Sequence, residues 1–281
     1  MKFSEIKHKI KNLGEFKSLE EIKKAGLRIV RNTKTGDYWL IEEEFLKPVI
    51  KSPRECKTIL IKPEDLKYKV LMVHKSKEEL KGKKVLDYIE WGEKQGFHKR
   101  PTCKSRKWWW SLEEYASEFL WWVNIGDRYL LFWNKKRLIS DKMFYNIYPK
   151  IKYSYCFAVS LNCTLTRLNA EIYGQEMTGA ITVLTHTVEM MKKIEVLHPE
   201  ILEIEKCKKI NFNRNVKIHF TELGFDPNKP IREQEPNPLP DRKALDDIVF
   251  DALGLTEEER KEVYWAVAEL VQNRLKKAKS V

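Results

Sequence analysis

Short runs rich in β-branched and aromatic residues occupy the first third of the chain. Leu27–Val30 and Asp37–Ile41 flank Asn-Thr-Lys-Thr-Gly at 32–36, a turn signal, and predict a hairpin. Thr58–Ile61 and Lys69–Val73 predict two further strands. From about Lys84 to Gln95 the spacing predicts a helix, with Gly96 as its stop. Arg128–Trp133 then reads as a strand, Asn134-Lys-Lys-Arg137 as a charged turn, and Met143–Tyr148 as the return strand. Asn162–Tyr173 predicts a helix ended by Gly174, and a strand is expected near Ala180–Leu184. Strands cluster without regular βαβ alternation, so the expected class is α+β: a mixed-strand body with flanking helices and a C-terminal helical pair.

Residues 224–241 carry five prolines, which forbid a continuous helix or a central strand. The expected division is therefore a body over 1–223, a proline-rich linker over 224–241 and a helical tail over 242–281. Arg242–Leu253 and Thr256–Lys277 read as two helices around Gly254, the second opened by the capping box Thr256-x-x-Glu259. Val263, Val267, Leu270, Val271 and Leu275 recur at helical spacing and mark one apolar face. So short a pair holds little core alone, so that face is expected to dock on its own body or on a partner.

At 281 residues and 42% apolar, the chain can bury a sizeable core. No apolar run approaches the roughly 20 residues that span a bilayer, and the amino terminus has no signal-peptide core. A cytoplasmic location without membrane contact is the expectation. Five cysteines (56, 103, 156, 163 and 207) form no Cys-x-x-Cys pair, and their odd number argues against a disulfide framework. Reduced, buried thiols follow.

The net charge is +12 and the pI about 9.3. Residues 242–281 carry eight basic and eight acidic side chains, so the whole excess lies before them. Its densest part is Lys94–Lys107, where Lys94, Lys99, Arg100, Lys104, Arg106 and Lys107 stand without a carboxylate and run into Trp108-Trp109-Trp110. A solvated face ordinarily mixes both signs, so uncompensated charge beside flat rings points to a polyanion. Arginine matches the O6 and N7 acceptors of guanine; lysine suits phosphate. Arg100 and Arg106 are therefore candidates for base contact, with Lys94, Lys99, Lys104 and Lys107 on phosphates. Three consecutive tryptophans cannot all point inward, and at least one is expected at the surface, with Trp108 and Trp109 as candidates. The turn Lys135-Lys136-Arg137 is a further candidate DNA contact, although a polar hairpin tip would look the same. Core packing explains most of the other tryptophans.

Several segments, taken in order, resemble a known family. They are Tyr88-Ile-Glu-Trp-Gly-Glu-Lys-Gln-Gly96, Arg100-x-x-Cys103-x-x-Arg106-x-Trp108-Trp109, Ser160-Leu-Asn162-Cys-Thr-Leu-Thr-Arg167, Tyr173-Gly174, Thr178-Gly179-Ala180-Ile181 and Ala244–Thr256. Together they look like the carboxyl-terminal specificity half of adenine-specific DNA methyltransferases of type IIG and related restriction-modification enzymes. The resemblance runs from about Asp37 onward. It implies a specificity module or subunit that binds double-stranded DNA and reads base edges, while a separate catalytic subunit or domain extracts the adenine and transfers the methyl group. S-adenosylmethionine would then belong to that partner, and no cofactor to this chain. Consistent with that division, the eleven glycines include no Gly-x-Gly, and Asn237-Pro238-Leu239-Pro240 lacks the aromatic and the second adjacent proline of an Asn-Pro-Pro-Tyr loop.

No catalytic or metal-binding residue can be assigned. His98 and Cys103 have no second pair at zinc-finger spacing. Pro240-Asp241 with Glu259-x-Lys261 imitates a Pro-Asp…Glu-x-Lys nuclease signature, but such matches arise by chance in a chain that is 33% charged, and Glu259 already has a role at a helix start. An RNA-binding or RNA-processing accessory protein would use the same cations and rings and is the alternative reading.

Overall fold

The computed structural model describes residues 2–150, 152–176 and 183–279. The chain is α+β and divides into two compact units, residues 1–49 with 67–114, and residues 50–66 with 115–281.

The first unit opens with α1 (Phe3–Ile6) and α2 (Leu19–Lys24), followed by β1 (Leu27–Arg31), β2 (Tyr38–Glu42), β3 (Leu46–Ile50) and β4 (Tyr68–Leu71). β1 and β2 pair antiparallel from Leu27↔Glu42 to Arg31↔Tyr38, the hairpin expected from the turn at 32–36. β3 pairs antiparallel with β4. The unbroken apolar run Trp39-Leu40-Ile41 in β2 follows from burial on both faces. Leu40 packs with Ile10, Ile22 and Leu27, while Trp39 and Ile41 pack with Phe45, Val85 and Ile89. Asn12 serves the open edge of β2: Leu40 N donates to its Oδ1 at 2.7 Å and its Nδ2 donates to Leu40 O at 3.0 Å.

Helix α3 (Lys84–Lys94) has no capping side chain of its own. The carboxylate of Glu42, at the end of β2, accepts instead from Lys84 N at 2.6 Å and Val85 N at 3.0 Å. Gly96 (φ 74°) closes the far end as expected. A single turn, α4 (Pro101–Lys104), follows.

The second unit contains β5 (Phe119–Trp122), β6 (Asn124–Ile125), β7 (Phe132–Trp133), β8 (Ile139–Ser140), β9 (Phe144–Ile147), α5 (Ser154–Asn162), α6 (Thr164–Tyr173), β10 (Gln175–Glu176) and β11 (Leu184–Thr185). Helices α7 (Val188–Met191), α8 (Ile204–Lys209), α9 (His219–Leu223), α10 (Pro240–Leu253) and α11 (Glu257–Lys279) complete it. One sheet has the order β7-β5-β9 and another β10-β11-β6. The main core gathers Phe119, Leu120, Trp121, Phe132 and Trp133 against Cys156, Val159 and Leu161 of α5.

Three strand expectations change. Thr58–Ile61 is not a strand: the chain bends at Thr58 and Ile59 and makes the isolated bridge Leu60↔Trp133. In 128–133 only Phe132 and Trp133 are strand, because the Asn162 side chain takes both Leu131 backbone groups, at 2.9 and 3.0 Å. The return strand β9 pairs with β5 and not with β7, so 134–137 is a turn but not the tip of a two-stranded hairpin. The strand expected near Ala180–Leu184 lies partly outside the described residues; β11 begins at Leu184.

Both tail helices form, and the capping box at Thr256 is made: Thr256 N donates to Glu259 Oε2 at 2.8 Å and Glu259 N to Thr256 Oγ1 at 3.3 Å. Val267, Ala268 and Val271 of α11 pack against Phe220, Leu223 and Phe225 of the same unit. Leu270, which its spacing assigns to that apolar face, is instead 37% exposed. Four cysteines are buried and Cys103 is half-buried, all with free thiols. Burial pushes the Cys163 thiol up to about 11, which leaves it inert. No described helix is long and apolar enough to cross a membrane.

Candidate nucleic-acid interface

The basic run starts on the last turn of α3 and continues through α4 into the tryptophan turn, all within the first unit. Gly92 sits in the last turn of α3, inside the helix, where glycine is ordinarily unfavourable. A Cβ there would lie 2.5 Å from Cη2 of Trp109, so the glycine lets the indole lie directly on the helix. Trp109 Nε1 donates to Glu93 Oε1 at 3.1 Å, Trp110 Nε1 to Lys75 O at 3.3 Å, and Arg106 Nη1 to Trp109 O at 3.2 Å. Arg106 is thus half-buried and engaged in holding the turn. Trp108, Trp109 and Trp110 are all half-buried rather than divided between core and surface. Trp108 stacks on Trp110 with centroids 6.3 Å apart, and Lys107 Nζ lies 4.4 Å from its ring centre.

Around this braced turn Lys94, Lys99, Arg100, Lys104 and Lys107 are exposed. Among the described residues none of them forms an ion pair. The adjacent carboxylate, Glu93, is occupied by Lys77 Nζ at 2.5 Å and by Trp109. The guanidinium of Arg100 lies over Phe97, 4.3 Å from the ring centre. Phe97 packs on Trp91 (5.5 Å), Trp91 on Tyr88 (5.3 Å) and Tyr88 on Trp39 (5.1 Å). This ladder leads from the exposed guanidinium to a cleft of about 760 Å³ lined by β1, β4, Trp39 and Tyr88. Arg28, Arg31, Lys67 and Lys69 stand around that cleft. Sequence reading missed these four, because the edges of two strands distant in sequence, β1 and β4, bring them together.

Lys135, Lys136 and Arg137 lie in the second unit and are exposed. Arg137 holds φ 48°, a left-handed conformation that costs a residue with a side chain roughly 1–2 kcal/mol. Asn134, fully buried, fixes it: its backbone O accepts from Arg137 N at 2.7 Å and its side chain bonds Ser117 O, Leu138 O and Leu138 N. Lys135 Nζ lies 5.5 Å from the Trp133 ring centre.

Residues of the segment Ser160–Arg167 build a buried polar network. Asp246 accepts from Thr164 N at 2.7 Å and Thr164 Oγ1 at 2.6 Å, and Arg242 Nη1 donates to Asn162 O at 2.6 Å. Glu171 lies between Arg167 and Arg274; Arg274 donates to it at 3.1 and 3.2 Å. Removing Glu171 would strand two buried guanidinium groups, at about 3–5 kcal/mol. Burial, with the fields of Arg167, Arg242 and Arg274, holds His219 well below the ordinary imidazole range. This segment therefore ties α5 and α6 to α10 and α11. Thr178-Gly179-Ala180-Ile181 lies outside the described residues.

Glu259 is the capping acid of α11, and Lys261 pairs with Glu235 at 2.9 Å, so the nuclease-like pattern has no assembled centre. Among the described residues no group of three His, Cys, Asp or Glu could hold a metal.

The sequence matches a family described as type II methyltransferase M.Eco57I, C-terminal domain, over residues 30–217. Among solved structures it is similar to the type IIG restriction endonuclease BpuSI, with a TM-score of 0.53 and 10% identity over 84% of this chain. That likeness is one of fold. The aligned part spans 26% of the length of the BpuSI chain. No curated protein matches this sequence.

Proposed function

The chain belongs to the family of the type II methyltransferase M.Eco57I C-terminal domain, and from that premise we propose that it is the part of an adenine-specific restriction-modification methyltransferase that recognises double-stranded DNA. It acts as a specificity domain or subunit. Methyl transfer, with its S-adenosylmethionine, belongs to a separate catalytic domain or partner.

The observation that carries this reading is the set of exposed, carboxylate-free cations at Lys94, Lys99, Arg100, Lys104 and Lys107 on a braced aromatic turn. Exposed cations that form no ion pair remain available to phosphate and release counterions on binding. Lys99, Lys104 and Lys107 contact phosphates. Arg100, seated over Phe97, presents a planar fork suited to a guanine edge. Arg106, already bonded to Trp109 O, acts mainly by holding the tryptophan turn. Lys135, Lys136 and Arg137 add phosphate contacts from the second unit.

The test is the salt dependence of duplex binding by the full chain. Changing Lys99, Lys104 and Lys107 to Ala is expected to weaken binding to every duplex and to flatten the slope of log K against log salt by about 0.9 for each phosphate no longer neutralised. An unchanged slope would remove these residues from the interface. Tighter binding to single-stranded RNA than to any duplex would favour an RNA-binding role.

A further inference from the structure

The cleft of the first unit lies between β1 and β4, each of which pairs on one side only: β1 with β2, and β4 with β3. Consecutive residues Arg28 to Thr33 line one wall and Lys67, Tyr68 and Lys69 the other. A strand that faced the cleft with its side chains would contribute alternate residues, as β2 does with Trp39 and Ile41. The consecutive lining fits strands that meet the cleft along the edges no other strand pairs, and an edge strand offers backbone N–H and C=O groups to a ligand. Between them lie aromatic and aliphatic groups, Trp39, Ile41, Leu46 and Tyr88. Trp39 is 3% exposed, and its Nε1 has no acceptor among the described residues. A buried N–H without a partner is costly, so the site is suited to a ligand with a carbonyl or ring-nitrogen acceptor. Three exposed cations stand at the mouth, Arg31, Lys67 and Lys69.

We propose that this cleft binds an unpaired nucleotide of DNA, the base between the strand edges against Trp39 and Tyr88 and the flanking phosphates on Arg31, Lys67 and Lys69. Each part of a nucleotide then meets its complement. The base face meets rings, the base edge meets backbone donors and acceptors together with the Trp39 N–H, and the phosphate meets ammonium and guanidinium groups. An acidic peptide added as an extra strand would use the same edges and charges. The half-buried ring of Tyr88 between the edges and the aromatic ladder running on to Arg100 favour the nucleotide. The proposal rests on the reading of the chain as DNA-binding and adds to it a second, deeper site joined to Arg100 by the Trp39–Tyr88–Trp91–Phe97 ladder.

Two duplexes test it with the full chain, one carrying 2-aminopurine paired with thymine, the other the same sequence with the 2-aminopurine inserted as an unpaired extra nucleotide. The bulged duplex is expected to bind about tenfold tighter, with quenching of the 2-aminopurine as it stacks. Lys67→Gln with Lys69→Gln is expected to remove most of that preference. Trp39→Phe, which keeps the apolar ring and deletes the donor, is expected to narrow it, with helix content and melting temperature checked for both variants. Equal affinity for the two duplexes, or an undiminished ratio in both variants, would overturn the proposal while leaving DNA binding intact. Displacement of the bulged duplex by a polyglutamate peptide at equal concentration would overturn it in favour of a peptide strand. Binding to neither duplex would overturn it together with the DNA-binding reading itself.

Discussion

His219 is buried beside three arginines, so its proton is excluded in the folded protein and accepted in the unfolded one. The unfolded state therefore binds more protons as pH falls through about 6.5, and stability falls with it. His186 is shifted the same way, mainly by burial. Burial alone would raise Glu222, but the bonds from Arg214 and Arg242 leave it lowered, so its loss comes only below the ordinary carboxylate range. Asp246 is raised, chiefly by burial, and acts in the opposite direction. Between about pH 7.5 and about pH 5.5 the two histidines therefore decide the slope, with a limit of about 1.4 kcal/mol per pH unit for each. Denaturant midpoints across this window are expected to fall for the natural sequence and to fall roughly half as steeply for His219→Gln. An identical slope in that variant would show that His219 titrates normally.

Helix α3 shows how an element prepares the interface. Gly→Ala within a helix ordinarily gains up to about 1 kcal/mol, yet at Gly92 the added methyl would meet Trp109 at 2.5 Å. Gly92→Ala is expected to lower the melting temperature and to shift the tryptophan emission, because Trp109 must leave the helix and the turn that carries the cations loosens. A higher melting temperature would mean that the indole does not rest there. The elements legible in the sequence are those whose signals are local: the β1–β2 hairpin with its turn, α3 with Gly96, α6 with Gly174, and α10–α11 with the box at Thr256. Those that were not depend on distant partners. β3 contains Pro48, which disguises it as a loop, and it takes shape by pairing with β4 across the seventeen intervening residues Lys51 to Lys67. α5 is apolar on most sides and shows no periodicity, with Cys156, Ala158, Val159 and Leu161 all buried. The pairing of β9 with β5 is invisible to any reading that joins neighbours. The candidate site divides in the same way, since the run 94–107 is continuous in sequence, whereas the cleft is assembled from three stretches.

For the whole molecule, the family match covers 30–217 and so includes both the basic run and the turn at 135–137. Charge is distributed to suit such a role. The ion pairs of the second unit bury several of its arginines in internal contacts, with Arg167, Arg242 and Arg274 at 4% exposure or less. In the first unit Lys11, Arg28, Lys75, Lys77 and Lys83 pair with carboxylates, while Lys94, Lys99, Arg100, Lys104 and Lys107 stand in solvent. Internal charge thus fixes the fold, and the run 94–107 is the stretch that the proposed function assigns to DNA. The central claim, that this chain selects one duplex sequence without its own methyl-transfer chemistry, is tested most directly by equilibrating the purified full chain with a pool of randomised DNA duplexes at fixed salt and sequencing the bound fraction. The account predicts enrichment of one short duplex sequence, with Arg100→Ala relaxing the preference at one base pair; a bound fraction as random as the input would contradict it.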